Sequence, residues 1–375
     1  RRLGTRHVGH EIDPMNINSL TIAVTNEYDP GYQAPRPRRK LRLDMAQIEL
    51  LIDQAAELGA RLVILTGGEP FLLGPVLRQA VSYAAEAVGR VRVVTDCYWA
   101  TTPNQAVVEM NRLAQAGLRE IDIRCGDWHQ ETKWQHRAKW AAWAAGRAGM
   151  TVLSKQLVEN SKTGSHMIYL RQYPSVGPEA YRATIQSDDS TGDLHPSGLL
   201  PYYPEGKETS RRNPLSGLGD DSGRCPYLFN SITAHPDGRL TACGGYACSA
   251  APDLDLGDWY TGPLARLIEL GERRPVLQWI RISGPAAIRD AISEKSPGIQ
   301  FQQHYANVCH LCGDMLTRYE VRRAIHASAD LGVHKALDGL IEKLENMAER
   351  SSGQEILADI SSRNREAGAT LAFAD

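Results

Sequence analysis

The sequence lacks the marks of several protein classes. It contains no apolar run long enough to cross a bilayer, and its formal net charge of -2 leaves no broad basic surface for nucleic acid. It has no Walker loop, no G-x-S-x-G turn and no H-E-x-x-H helix. The seven cysteines are an odd number, which fits metal ligands in a reducing compartment better than a disulfide framework. We therefore predict a cytoplasmic protein that binds neither nucleic acid nor a membrane.

The first 160 residues alternate between short apolar runs and longer amphipathic segments, with short connections between them. This alternation is typical of an α/β protein with a parallel sheet and helices outside it. The strands are predicted at Leu20–Thr25, Arg61–Thr66, Val91–Thr95, Glu120–Arg124 and Thr151–Leu157, and the helices at Asp44–Leu58, Val76–Val88, Asn104–Ala116 and Thr132–Arg147.

Chemically active side chains follow the third and fourth predicted strands. In α/β barrels, the carboxyl ends of the strands and the loops after them form the site. The candidate catalytic or metal-binding residues there are Asp96, Cys97, Cys125, Asp127 and His129. The alternative is that both cysteines are ordinary core residues and that the histidine is a structural loop residue.

The second predicted strand ends in the motif Thr66-Gly67-Gly68-Glu69-Pro70. Two glycines allow the backbone to approach a ligand closely, and a carboxylate just beyond them can accept a hydrogen bond from a ligand ammonium group. The alternative is a tight strand-to-helix turn in which the proline begins the helix. The motif is a candidate cofactor site.

The position of this motif gives the chain a resemblance to the radical SAM superfamily. In that family a Gly-Gly-Glu-Pro element at the end of the second strand holds the amino group of S-adenosylmethionine. Thr25-Asn26 also resembles the end of the family's first strand, after which a C-x3-C-x2-C triplet binds a 4Fe–4S cluster. Here the triplet positions are Tyr28, Tyr32 and Pro35. Because none supplies a thiolate, the resemblance implies a degenerate member without a radical-initiating cluster.

Five cysteines lie in the second half of the chain: Cys225, Cys243, Cys248, Cys309 and Cys312. The C-x2-C pair at 309–312 presents two thiolates to one metal centre. A predicted hairpin around residues 235–238 brings Cys225 and Cys243 together, which completes a set of four, and Cys248 is a possible alternative ligand. The pattern resembles the Twitch/SPASM extension of radical SAM enzymes, which carries an auxiliary 4Fe–4S cluster. A zinc site is the alternative, although zinc ribbons usually contain two C-x2-C pairs.

The resemblance implies a partial (β/α)6-type TIM barrel, a small cysteine-rich Twitch/SPASM-like domain and C-terminal helices. The expected boundaries are an N-terminal extension at 1–17, a barrel at 18–205, an iron–sulfur domain at 206–318 and a helical segment at 319–375. The expected role is an accessory subunit in peptide or natural-product modification, which binds a catalytically complete radical SAM protein or a carrier or precursor peptide. Two alternatives stay open: a repurposed enzyme that still binds S-adenosylmethionine or a related ligand, and an electron-transfer protein.

Overall fold

The structure is a computed structural model. It describes residues 17–28, 39–125, 132–160, 164–172, 225, 227–244, 250–302, 305, 308–339 and 341. The strands are β1 Ser19–Thr25, β2 Leu62–Gly67, β3 Val91–Thr95, β4 Glu120–Cys125, β5 Thr151–Asn160, β6 Gly164–Gln172, β7 Ser231–Ala234, β8 Arg239–Thr241 and β9 Asp255–Asp258. The helices are α1 Met45–Glu57, α2 Pro75–Ala87, α3 Pro103–Gln115, α4 Thr132–Arg147, α5 Leu264–Glu272, α6 Pro275–Lys295, α7 Val308–Thr317 and α8 Tyr319–His326, and residues 329–339 are also helical.

The nine described strands form one sheet in the order β6-β5-β4-β3-β2-β1-β7-β8-β9. Strands β1 to β5 are parallel neighbours in chain order, with α1 to α4 in the connections between them. The predicted α/β class, the five predicted strands and the four predicted helices between them are therefore confirmed. Strand β6 returns antiparallel to β5 and was not predicted.

The hairpin β7–β8 joins the same sheet, because β7 lies parallel to β1. The hydroxyl groups of Ser19 and Ser231 meet across this pair at 2.5 Å. The region that contains the cysteines therefore continues the sheet of the first half. The predicted boundary at 205/206 and nearly all of the predicted extension at 1–17 lie outside the described residues.

The two faces of the parallel strands differ in chemistry. In β4, Ile121 and Ile123 belong to the main apolar core that also contains the buried faces of the helices. The residues that alternate with them, Glu120, Asp122 and Arg124, lie on the opposite face, because side chains alternate along a strand. Asp122 and Arg124 are nevertheless buried. At β4, the face opposite the helices is therefore polar and shielded from solvent, whereas at β2 and β3 the same face also carries a small apolar cluster of Leu62, Ile64 and Val94.

Helix α1 shows how local sequence determines the connections. Its N-cap Asp44 accepts a hydrogen bond from the backbone N–H of Gln47, and the side chain of Gln47 accepts one from the backbone N–H of Asp44, which forms a capping box. Four apolar side chains on one face of α1 are fully buried: Ile48, Leu51, Ile52 and Ala55. The helix thus begins at the predicted cap and buries the predicted face.

Candidate functional site

Glu69 is the centre of a buried polar cluster at the carboxyl ends of β2 and β3. It is the N-cap of the 3-10 turn Pro70–Leu73, and only 2% of its surface is exposed. Its Oε1 accepts a hydrogen bond from the N–H of Phe71 at 3.2 Å, and its Oε2 accepts one from the N–H of Asp96 at 3.0 Å. The Thr95 hydroxyl lies 3.0 Å from both oxygens. All of these donors belong to the chain itself.

The Thr95 hydroxyl is held in a fixed orientation. It accepts hydrogen bonds from the backbone N–H of Cys97 and from Nε1 of Trp99, each at 3.0 Å. Because both neighbours donate to it, its own proton is left for Glu69. The Trp99 ring stacks on Phe71 with ring centroids 4.3 Å apart, which covers this network on its outer side.

Burial raises the pKa of Glu69 to about 8, and the nearby charge of Asp96 adds to the rise. The two backbone donors and Arg124 oppose the rise without cancelling it. At neutral pH a substantial fraction of Glu69 is therefore protonated, and its capacity to attract an external cation is reduced.

A second buried pair lies beside Glu69. Nε of Arg124 lies 3.0 Å from Oδ1 of Asp96, and Nη2 of Arg124 donates a hydrogen bond to the carbonyl of Gly68 at 2.7 Å. Tyr28 lies within electrostatic reach of this pair. Burial raises its pKa, the charge of Asp96 adds to the rise, and Arg124 opposes it. The ends of β1 to β4 thus meet in one cluster.

The two glycines of the motif allow the ends of β1 and β2 to approach each other closely. A Cβ on Gly67, whose φ is +125°, would lie 2.1 Å from the carbonyl oxygen of Thr25, and a Cβ on Gly68 would lie 1.8 Å from that of Glu27. The N–H groups of Gly68 and Glu69 donate to these same carbonyls, at 2.7 and 2.8 Å. The close approach seen here is between two stretches of the chain, and the predicted close approach of a ligand to this backbone stays a prediction.

The other predicted site residues have different positions. Cys97 is fully buried, has a φ of +61° and packs in the main core. Cys125 is the last residue of β4, and its side chain is not described, whereas Asp127 and His129 lie outside the described residues. Thr66 is buried, and its hydroxyl has no hydrogen-bond partner within the described part of the chain.

Three members of the cluster were missed by the sequence analysis: Thr95, Trp99 and Arg124. One of them leaves a signal in the sequence, since an arginine at the end of a predicted buried strand needs an anionic partner. Thr95 and Trp99 leave no such signal, because their roles depend on the sharp turn that follows β3.

The cysteine-rich region places three thiols near one another. Charges on Cys225 and Cys309 add to the rise in the pKa of Cys312, which is caused chiefly by burial. Burial raises the pKa of Tyr227 to about 12, and the same two thiols add to that rise. The thiol of Cys225 also accepts hydrogen bonds from the N–H groups of Tyr227 and Leu228, and these bonds lower its pKa against the larger effect of burial. Such bonds favour a thiolate over a thiol.

Cys243 lies two residues after the end of β8 and is buried. Its carbonyl accepts hydrogen bonds from the hydroxyls of Thr233 and Thr241, at 3.3 and 3.1 Å. The five described cysteines are free thiols, and Cys248 lies outside the described residues. Among the residues that the structure describes, no three histidine, cysteine or acidic side chains are gathered closely enough to hold a metal ion. The donors present are soft thiols, buried at Cys243 and partly buried at the other three positions, and they fit an iron–sulfur cluster or zinc by their chemistry.

Fold and site together define an α/β protein with a buried polar cluster at the carboxyl ends of its parallel strands and a set of thiols beyond them. No family model and no curated protein matches the chain. Among solved structures, the chain is similar to BtrN in complex with AdoMet and 2-DOIA, with 12% identity and a TM-score of 0.44 over 72% of this chain and 89% of that one. A similarity of this size assigns no ligand or residue role. None of the described helices is long and apolar enough to span a membrane.

Proposed function

We propose that the chain is a radical-SAM-like protein without a radical-initiating cluster, which acts as an accessory or partner-binding subunit in peptide or natural-product modification. The two motifs that carry the resemblance stand at the observed strand ends, since β1 ends at Thr25 and β2 ends at Gly67. Tyr28 occupies the first position of the family's cysteine triplet and lies half-buried beside Asp96 and Arg124.

The observation that carries the proposal is that both carboxyl oxygens of Glu69 are hydrogen-bonded by other groups of the chain. A carboxylate that binds an ammonium group needs negative charge and an accessible oxygen. Both oxygens of Glu69 already accept hydrogen bonds from the chain, and burial raises its pKa to about 8. An incoming ammonium group would have to share the two oxygens with three donors of the chain and would also have to ionise the carboxyl group. Weak or absent binding of S-adenosylmethionine is therefore expected.

The thiols support a metal centre of the auxiliary type. Its proposed ligands are Cys225, Cys243, Cys309 and Cys312, with Cys248 as the alternative to one of them. When bound, a 4Fe–4S cluster would supply one-electron chemistry, and zinc, the alternative, would be structural. The residues themselves contribute buried thiols and, at Cys225, two N–H donors that stabilise the thiolate.

The first experiment measures S-adenosylmethionine binding to the purified chain by calorimetry, with a cysteine-complete radical SAM enzyme as the positive control. The expected result is no binding, and no 5′-deoxyadenosine after reduction. The variant Glu69→Gln should behave like the wild type. Binding that this variant abolishes would contradict the proposal and support a repurposed enzyme that uses the cofactor.

The second experiment tests the partner and the metal. Affinity-tagged chain expressed with its neighbouring genes is expected to recover a cysteine-complete radical SAM protein or a precursor peptide.

Anaerobically purified chain is expected to contain iron and acid-labile sulfide, and the amounts of both should be lower in Cys309→Ala. Stoichiometric zinc without sulfide would replace the cluster with a structural zinc site, and recovery of the chain alone would count against the accessory role.

A further inference from the structure

The short 3-10 turn Pro252–Leu254 connects the two halves of the cysteine set. On one side, the carbonyl of Leu254 accepts a hydrogen bond from the N–H of Ala242 at 2.8 Å. Ala242 directly precedes Cys243, so this turn is bonded to the segment that carries one of the proposed ligands. On the other side, the turn packs against α6 and α7, and α7 carries both residues of the C-x2-C pair.

Asp253, the middle residue of this turn, is buried and bonded by the side chains of an arginine and a histidine. Its side chain is 8% exposed. Oδ2 accepts a hydrogen bond from Nε of Arg322 at 2.7 Å, and Oδ1 accepts from Nη2 of Arg322 at 3.3 Å. Nε2 of His326 lies 2.7 Å from Oδ1. Both partners belong to α8, which packs against α7 and α6, so the carboxylate fixes the helical layer to the turn.

The carboxylate of Asp253 lies close enough to the thiol of Cys312 to affect its ionisation. The charge of Asp253 is among the causes that raise the pKa of Cys312, so the two residues are within electrostatic reach. An unpaired carboxylate would oppose the formation of thiolates nearby. Arg322 pairs with Asp253 and offsets part of that charge, so the turn can keep a strong acceptor with defined geometry close to the proposed ligands.

We infer that Asp253 is a positioning residue, which fastens α7 and α8 to the segment after β8 and so fixes where Cys309 and Cys312 lie relative to the segment that carries Cys243. This inference rests on the proposed metal centre. Residues three apart on a helix share a face, so a single rotation of α7 would move both thiols of the C-x2-C pair together. Arg322 and His326 prevent that rotation by holding the carboxylate from the adjacent helix.

The test compares Asp253→Asn with Glu320→Gln. Glu320 also lies on α8 and pairs with an arginine, but its side chain is 55% exposed and its carboxylate bonds to Arg318 rather than to the turn. For each reconstituted protein we would measure the bound metal per chain, the rate of metal transfer to a chelator, and the rate at which the thiols of the metal-free chain react with a disulfide reagent.

The expected result is metal loss about tenfold faster in Asp253→Asn, the lower end of the effect of removing residues that orient metal ligands. Its thiols should also react faster, whereas Glu320→Gln should match the wild type. If Asp253→Asn does not fold, His326→Gln removes one exposed partner only and should give an intermediate rate. If the wild type carries metal and loses it at the same rate as the Asp253 and His326 variants, this inference alone is overturned. A wild type that takes up neither iron nor zinc would overturn the metal centre as well.

Discussion

Replacing Glu69 by glutamine tests the electrostatics of the buried cluster. The pKa of this carboxyl is about 8 in the folded chain, against an ordinary value of 4.5. Between these two values the unfolded chain has lost its proton while the folded chain retains it. The contribution of Glu69 to stability is therefore fully present below about pH 4.5 and is lost as the pH rises through about 8. Glutamine cannot titrate, so Glu69→Gln removes this dependence.

The size of the effect follows from the raised pKa. Each pH unit inside the window changes the free energy of unfolding of the wild type by about 1.4 kcal/mol relative to the variant. Between about pH 5 and pH 7.5 this amounts to about 3 kcal/mol, as an upper limit, because Glu69 shares its field with Asp96. Glutamine also mispairs with a backbone N–H, and this cost does not vary with pH.

The assay is urea denaturation of both proteins at a series of pH values, followed by circular dichroism. The expected result is that the free energy of unfolding of the wild type, minus that of Glu69→Gln, falls steadily as the pH rises. Glu120→Gln is the control of opposite sign, since Arg92 and Arg90 hold the pKa of Glu120 below its ordinary value against the effect of burial. Relative to the wild type, that variant should change only as the pH falls through the acid range. A difference for Glu69→Gln that is constant with pH, or that rises, would refute the reasoning.

Three further substitutions test individual features. Burial lowers the pKa of His235 from 6.5 to about 4. The contribution of the neutral imidazole to the free energy of unfolding is therefore present above pH 6.5 and is lost as the pH falls through 4. Between pH 6.5 and 5, the free energy of unfolding of His235→Gln, followed by thermal melts, should fall by about 2 kcal/mol less than that of the wild type. Thr95→Val removes the acceptor of two N–H groups and a donor to Glu69, and should cost about 2 to 4 kcal/mol in urea denaturation; a loss below about 0.5 kcal/mol would contradict the network. Gly68→Ala places a Cβ 1.8 Å from a backbone oxygen and should lower the free energy of unfolding by more than about 2 kcal/mol. Gly262→Ala, with open space around it, should be nearly neutral. Equal losses of stability in the two variants would count against the close approach of β1 and β2.

The parallel core could be predicted because its signals are local. Apolar runs and helical stripes alternate, and α1 begins at a recognisable N-cap, Asp44. The pairing of β7 with β1 could not be predicted in this way. It joins residues more than two hundred positions apart, as in the bond between Ser19 and Ser231, and short strands of this kind fit several places in a sheet.

The candidate site was predictable in its location and only partly in its contacts. The carboxyl ends of parallel strands meet at one edge, so the convergence of Glu69 and Asp96 follows from the order of the elements. Which groups would satisfy Glu69 depends on a turn of unusual geometry at Cys97, where φ is +61°. That turn brings a backbone N–H and the Trp99 indole onto Thr95. Propensity and periodicity carry no information on a single residue of this kind.

The region before α1 shows why a chain without the cysteine triplet can keep this part of the fold. Residues 39–43 return antiparallel alongside the end of β1, where the side chain of Asn26 bonds the backbone of Arg39 and Leu41. Glu27 pairs with Lys40 at 3.0 Å and with Arg42 at 2.5 Å, and these bonds hold its pKa below the ordinary value. The described flanks of the segment between β1 and α1 are therefore fastened to each other by the chain's own hydrogen bonds and ion pairs.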